Sequence, residues 1–356
     1  MKKIPFTTLT KKELADKIEA LGEPKFRADQ VWDWVYEKKV LSFDKMENLS
    51  KALREKLDQV LTLSSLTFVT KTESNDQETV KYLWELADGK RVESVLIKSG
   101  RRRTVCVSSQ VGCPASCAFC ASGKMGFFRN LSAYEIYDQV VRINSDLQEV
   151  GECVSHIVFM GMGEPLKNYE SVIKAIGFLT DPARFNLSDR RITVSTVGVV
   201  EGIERLANEG IKVNLVLSLH APNQHIRKKI IPYARKYDLP DIMKAMDTYH
   251  KKTGRDITYE YTLIEGINDH PDHAFELAHL VKGRHCTVNL IPYNPVPGIR
   301  LRRPATKEIK AFRSVLFGCK IPNTCRWTKG DDIAAACGQL AYQNPSESSS
   351  SLPLSA

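Results

Sequence analysis

The sequence predicts an α/β protein built on a parallel sheet, and three features carry that reading. From Arg103 onward, short apolar segments of strand character alternate six times with helical segments, the pattern of strands laid side by side under a layer of helices. Before that point the periodicity is different: amphipathic helical repeats run to about residue 60, then two-residue alternation runs to residue 97. Apolar residues make up 42% of the 356, enough for one large core plus an accessory module. Alternation alone leaves the parallel part open between an incomplete barrel and a doubly wound sheet.

Taken in order, the first helix opens on Thr10 and Glu13, spaced as a capping box. It carries Leu14, Ile18 and Leu21 on one face and closes at Gly22 and Pro24. A second helix buries Val31, Trp34 and Val35, and a third buries Leu49, Leu53 and Leu57. LTFVT and the run VKYLWELADGKRVESVLI then read as strands, with Asp88-Gly89 as a hairpin turn. The six strand segments begin near residues 104, 156, 191, 213, 257 and 286. Each is followed by a helical segment, and a further strand is expected in KIPNTCRW. The helix after the first of these strands has Ser132 and Glu135 as a capping box and a buried stripe of Ile136, Val140, Ile143 and Leu147. These elements divide the chain into an accessory unit, 1–97, a main domain, 98–342, and a low-complexity tail, 343–356, expected to be disordered.

Lys and Arg outnumber Asp and Glu by 51 to 42, a net charge of +9. The clusters Lys98–Arg103, Arg227–Lys229 and Arg300–Arg303 suit a phosphate backbone, and ordinary solvated surface explains them equally well. No apolar run reaches the ~18 residues of a membrane helix, and the first residues lack an apolar leader segment. The expectation is a soluble cytoplasmic protein with no membrane partner. Nine cysteines, an odd number without a regular framework, fit a reducing compartment.

Three of those cysteines, Cys113, Cys117 and Cys120, form a CxxxCxxC triplet. Three thiolates on one short loop suit a 4Fe-4S cluster with one iron left open to a small ligand. Zinc is the weaker reading, because no paired CxxC or HxxxH motif completes a four-ligand site; buried structural thiols are the plainest alternative. The triplet follows the first parallel strand, and other unusual residues also fall at strand ends. These are Gly163 and Glu164 in GMGEP, Ser195, Ser218 to His220, and Asn294. Reactive residues of βα barrels collect at that end, so this rim is the candidate site, although Ser and His at strand ends also serve as plain helix caps.

The triplet with Phe119 before its last cysteine resembles the radical S-adenosylmethionine superfamily. The fuller set, CVSSQVGCPASCAFCASGKMGFFRNL, GMGEPLKN, VSTVG, SLHAP, IPYNPVPG and TKGDDIAAACGQL, resembles the RlmN/Cfr group of RNA adenosine methyltransferases over residues 10–342. That resemblance implies an incomplete (β/α)6 barrel with an N-terminal accessory domain that helps hold RNA. It implies a 4Fe-4S cluster on Cys113, Cys117 and Cys120, and S-adenosyl-L-methionine, two per turnover, held by Gly163, Glu164, Ser195, Ser218, Leu219, His220 and Asn294. Cys337 matches the cysteine that carries the methyl group, Cys106 its partner, and Glu93 the proton acceptor.

In the mechanism so implied, one cofactor molecule methylates Cys337 and a second is cleaved reductively to a radical that activates that methyl group. The carbon adds to adenine, and Cys106 releases the product as a Cys106–Cys337 disulfide. The substrates implied are an adenosine of 23S rRNA, at C2, and the adenosine 3′ to the tRNA anticodon, with a flavodoxin-like electron donor and a monomeric enzyme. Pro165 and Gly330–Ile333 look more like the C2 branch than the C8 branch. C8 methylation, and a non-catalytic iron-sulfur RNA-binding protein, are the alternatives. Cys153, Cys286, Cys319 and Cys325 lie outside every motif.

Overall fold

The computed structural model describes residues 3–327 and 329–341; the tail expected to be disordered lies outside the described residues. Three helices come first: α1 (Lys11–Ala20), α2 (Arg27–Tyr36) and α3 (Lys51–Val60). The Thr10 side chain accepts from the Glu13 N–H while Glu13 reaches back to the Thr10 N–H, so the first helix start is a complete capping box. The buried face of α2 carries Val31, Trp32, Val35 and Tyr36. The sequence reading put Trp34 on that face. It is only half-buried instead, with the Lys38 ammonium 3.6 Å from the ring centroid, because Phe6, Trp32 and Tyr36 pack together first.

One sheet of ten strands follows in strict chain order: β1 (Leu66–Glu73), β2 (Thr79–Leu86), β3 (Arg91–Ser99), β4 (Arg102–Cys106), β5 (His156–Phe159), β6 (Ile192–Thr196), β7 (Asn214–Ser218), β8 (Ile257–Leu263), β9 (Cys286–Pro292) and β10 (Asn323–Cys325). The first four pair antiparallel and β4 to β10 pair parallel. The hairpin strands grouped with the N-terminal helices are therefore hydrogen-bonded into the same sheet as the parallel strands. Among the described residues β1 and β10 remain separate edges, as an incomplete barrel requires.

The crossovers use helices α4 (Ala133–Gln148), α5 (Tyr169–Thr180), α6 (Val200–Leu206), α7 (Leu239–Thr253), α8 (Pro271–Val281) and α9 (Thr306–Gly318). Parallel strands joined this way are covered on the helix side, so their apolar residues, among them Ile157, Val194, Leu215, Leu217, Tyr259 and Leu290, are buried. The helix after β4 shows the local logic well: Ser132 and Glu135 close the capping box, and Ile136, Val140, Ile143 and Leu147 are all buried. The core runs continuously from the N-terminal helices through the sheet, and a second, smaller apolar cluster lies around Cys117, Phe119, Ile226, Ile230 and Tyr293. No helix among the described residues is long and apolar enough to cross a membrane.

Candidate active site

The carboxyl ends of β5 to β9 open into a cavity of about 130 Å³. Its wall is built by Met160, Ser195, Thr196, Ser218, Glu260, Thr262 and Ile291 from the strand ends. Cys113, Cys117, Phe119 and Cys120 come from the loop after β4, and Tyr293, Asn294, Cys337 and Gly338 complete the rim.

The cysteine loop is fixed by its backbone at three places. Cys113 N–H donates to Gly126 O at 2.9 Å, Ala118 N–H to Ile230 O at 2.9 Å and Ala121 N–H to Gly338 O at 2.7 Å. The last of these fastens it to the segment that carries Cys337. Burial pushes all three thiols up, Cys113 to about 12. They line one wall without converging on a point; among the described residues no three His, Cys, Asp or Glu side chains do.

Glu164 is buried, with Oε1 accepting from Leu166 N–H at 3.0 Å and Oε2 from Val197 N–H at 2.8 Å. Burial raises it to about 7. Gly163 beside it has φ +106°, and a Cβ there would stand 2.7 Å from both Gln110 Cβ and Ser109 Oγ, so only glycine fits this turn. Ser195 and Ser218 hydroxyls lie 3.1 Å apart across β6 and β7. His220 takes a left-handed conformation, φ 54°, with Leu219 N–H and its own N–H both on Glu260 O. Its Nδ1 accepts from Thr262 N–H at 3.0 Å, which leaves the proton on Nε2. Burial, with Arg227 nearby, lowers its pKa to about 3, so the ring is neutral. Asn294 donates to Cys337 O at 3.1 Å and accepts from Arg303.

Cys337 is an exposed side chain on the cavity, yet protein surrounds it closely enough that burial, then the Glu260 carboxylate, pushes the thiol up to about 11. Cys106 is buried at the end of β4, and desolvation first and Cys337 second raise its thiol far above the ordinary value. Glu93 lies off the cavity on β3. It is buried, paired with Lys81 at 3.1 Å and raised by desolvation, and its Oε2 has no hydrogen-bond partner among the described residues. Its carbonyl accepts from Ser108 Oγ at 2.6 Å, two residues beyond Cys106. Every cysteine is a free thiol, so the expected Cys106–Cys337 disulfide is absent; the two are separate side chains at different depths.

Sequence reasoning missed Glu260, whose carboxyl is buried in the cavity wall and, among the described residues, accepts a long bond from Asn289 Nδ2, 3.4 Å. ITYEYTL does hold a carboxylate in an apolar strand, the one signal available. It also misplaced Arg227. The cluster Arg227–Lys229 reads as phosphate-binding or solvated surface, but the Arg227 side chain is fully buried. The other basic clusters are partly neutralised: Lys98 pairs with Glu73, Arg103 with Glu152, Arg302 with Glu265 and Arg303 with Asp331.

The donor set fits a 4Fe-4S cluster: three thiols on one loop at a cavity wall, and packed near the middle one a buried guanidinium whose Nη1 has no hydrogen-bond partner among the described residues.

Residues 5–63 match the family model for the ribosomal RNA large subunit methyltransferase N-terminal domain, and residues 107–278 match that of the radical SAM superfamily. The chain is similar to the probable dual-specificity RNA methyltransferase RlmN 2 of Protochlamydia amoebophila, 66% identical over 96% of this chain and 95% of that one. It is also similar to the probable dual-specificity RNA methyltransferase RlmN of Symbiobacterium thermophilum, 46% identical over 94% of this chain and 91% of that one. Among solved structures, a radical SAM methyltransferase from Sphaerobacter thermophilus superposes with a TM-score of 0.91 at 43% identity, covering 95% of this chain and 99% of that one.

Proposed function

Since the chain belongs to the RlmN family of radical S-adenosylmethionine RNA methyltransferases, we propose that it methylates C2 of an adenosine in 23S rRNA and of the adenosine 3′ to the tRNA anticodon. The observation that carries this reading is the gathering, on one cavity, of the Cys113–Cys117–Cys120 loop, the strand-end residues and Cys337, with Cys106 buried at the end of β4.

When bound, the cluster supplies the electron that cleaves S-adenosylmethionine to a carbon radical. The protein supplies position. Gly163 and Glu164 hold the amino end of the cofactor, and Ser195, Ser218, Leu219, His220 and Asn294 hold the remainder. Cys337, on the cavity rim, carries the methyl carbon. Cys106 attacks the Cys337 sulfur to free the base, and Glu93 takes the proton lost from C2. Neutral His220 adds no charge near the sulfonium. The adenine must leave its stack to reach a recessed site, which points to a loop adenosine. The N-terminal unit, residues 1–97, assists in holding RNA, a flavodoxin-like protein delivers electrons, and the enzyme acts as a cytoplasmic monomer using two S-adenosylmethionine per turnover.

The test is nuclease digestion of RNA treated with the anaerobically reconstituted enzyme. 2-Methyladenosine is expected from both RNA classes. 8-Methyladenosine instead overturns the regiochemistry, and failure to cleave S-adenosylmethionine returns the protein to a binding role.

A further inference from the structure

Arg227 lies in the short helix Gln224–Ile230 and is fully buried, although the sequence offers it as one of three consecutive cations. Its Nε donates to Leu219 O at 3.2 Å and its Nη2 to Ser218 O at 3.2 Å and to Val197 O. These carbonyls belong to the strand ends that line the site. The third nitrogen, Nη1, is buried and has no hydrogen-bond partner among the described residues. Carbonyl oxygens solvate a guanidinium without neutralising it, and a buried charge left without an anion is costly.

Cys117 packs in one apolar cluster with Ile226 and Ile230 of the same helix, and Cys117 and Glu164 are two anion-forming groups on the adjoining cavity. Glu164 already spends both oxygens on backbone N–H groups. Cys117 is the middle thiol of the triplet, and Arg227's own helix abuts its loop through Ala118 N–H to Ile230 O, 2.9 Å.

We propose that Arg227 is a built-in counter-cation for the cluster, directing Nη1–H at the Cys117 sulfur once that thiol is ionised by iron. This rests on the radical S-adenosylmethionine reading of the site. A fixed positive charge and an N–H donor at a cluster sulfur stabilise the more negative, reduced state and so raise the reduction potential. The same guanidinium holds the 218–219 and 197 carbonyls, coupling cluster loading to the shape of the cofactor rim. Arg227 is thus a positioning residue, acting through the cluster and through strand ends.

The experiment compares wild type with Arg227→Met and Arg227→Lys, each with and without reconstituted cluster. Readouts are the midpoint potential by dithionite titration without S-adenosylmethionine, iron content, and the rise in Tm on cluster loading. A more negative midpoint in Arg227→Met is expected, together with a smaller cluster-dependent rise in Tm, since the cluster no longer relieves a buried charge. Arg227→Lys keeps the charge without the fork, so it falls between the two, and it carries the comparison if the Met variant does not accumulate. Unchanged midpoint and unchanged Tm rise overturn the proposal. An unchanged midpoint with weakened S-adenosylmethionine binding overturns it too, assigning Nη1 to the cofactor carboxylate. Absence of any iron in wild type would instead sink the cluster reading itself.

Discussion

Replacing Gly163 by Ala tests how the cofactor rim is built. The backbone there stands at φ +106°, where a side chain costs roughly 1–3 kcal/mol. The new Cβ would also stand 2.7 Å from Gln110 Cβ, well inside ordinary contact. Gln110 cannot move without loss, because Oε1 accepts from Glu164 N–H at 2.8 Å and Nε2 donates to Asn130 Oδ1 at 2.8 Å. Weakening those two bonds adds about 0.5–1.5 kcal/mol each, so the whole effect is roughly 2–6 kcal/mol. Urea unfolding of the reduced, cluster-free protein measures it, and equilibrium dialysis of the reconstituted enzyme should show S-adenosylmethionine affinity down tenfold or more. Gly177 in α5 is the control: nothing lies within 4 Å of its Cβ position, so Gly177→Ala should stabilise by roughly 0.5–1 kcal/mol. Equal stability and equal cofactor affinity for Gly163→Ala and wild type would refute the reasoning.

The two cysteines act at different moments, so Cys106→Ala should trap a covalent protein–RNA species seen on denaturing gels and removed by nuclease. Cys337→Ala should form none; RNA methylation by Cys337→Ala would end the assignment. In RNA binding, Arg101→Ser and Arg102→Ser, which remove exposed cations, should each flatten the salt slope by about one phosphate contact, whereas Arg103→Ser, whose partner is Glu152, should barely change it. An equal effect of all three would show that the Glu152 pair does not hold Arg103 back. Glu164 is raised from 4.5 to about 7, so the fold favours its neutral form. That contribution is full below pH 4.5 and is lost as pH rises to 7, so wild type should lose roughly 3 kcal/mol relative to Glu164→Gln across that window, at ~1.4 kcal/mol per pH unit. Parallel stability curves for the two proteins, measured by urea unfolding, would contradict it.

Much of this molecule is legible in its sequence because the relevant interactions are short-ranged. Capping boxes join residues three apart, so Thr10 with Glu13 and Ser132 with Glu135 mark helix starts before any tertiary contact exists. Strand and helix periodicities place six βα units and the extra strand at residues 323–325, and the spacing of Cys113, Cys117 and Cys120 announces a shared loop. What the sequence could not determine depends on residues brought together from far apart. Arg227 reads as a surface cation beside Lys228 and Lys229, but strand ends at residues 197 and 218–219 close over it. AAACG reads as packing, yet Cys337 meets the cavity because Ala121 N–H holds Gly338 O and because Lys329 and Asp332 fasten that segment to Glu78 and Asn75 in the hairpin. Charge and apolarity belong to a residue; burial belongs to the contacts around it, and only the tertiary structure decides those.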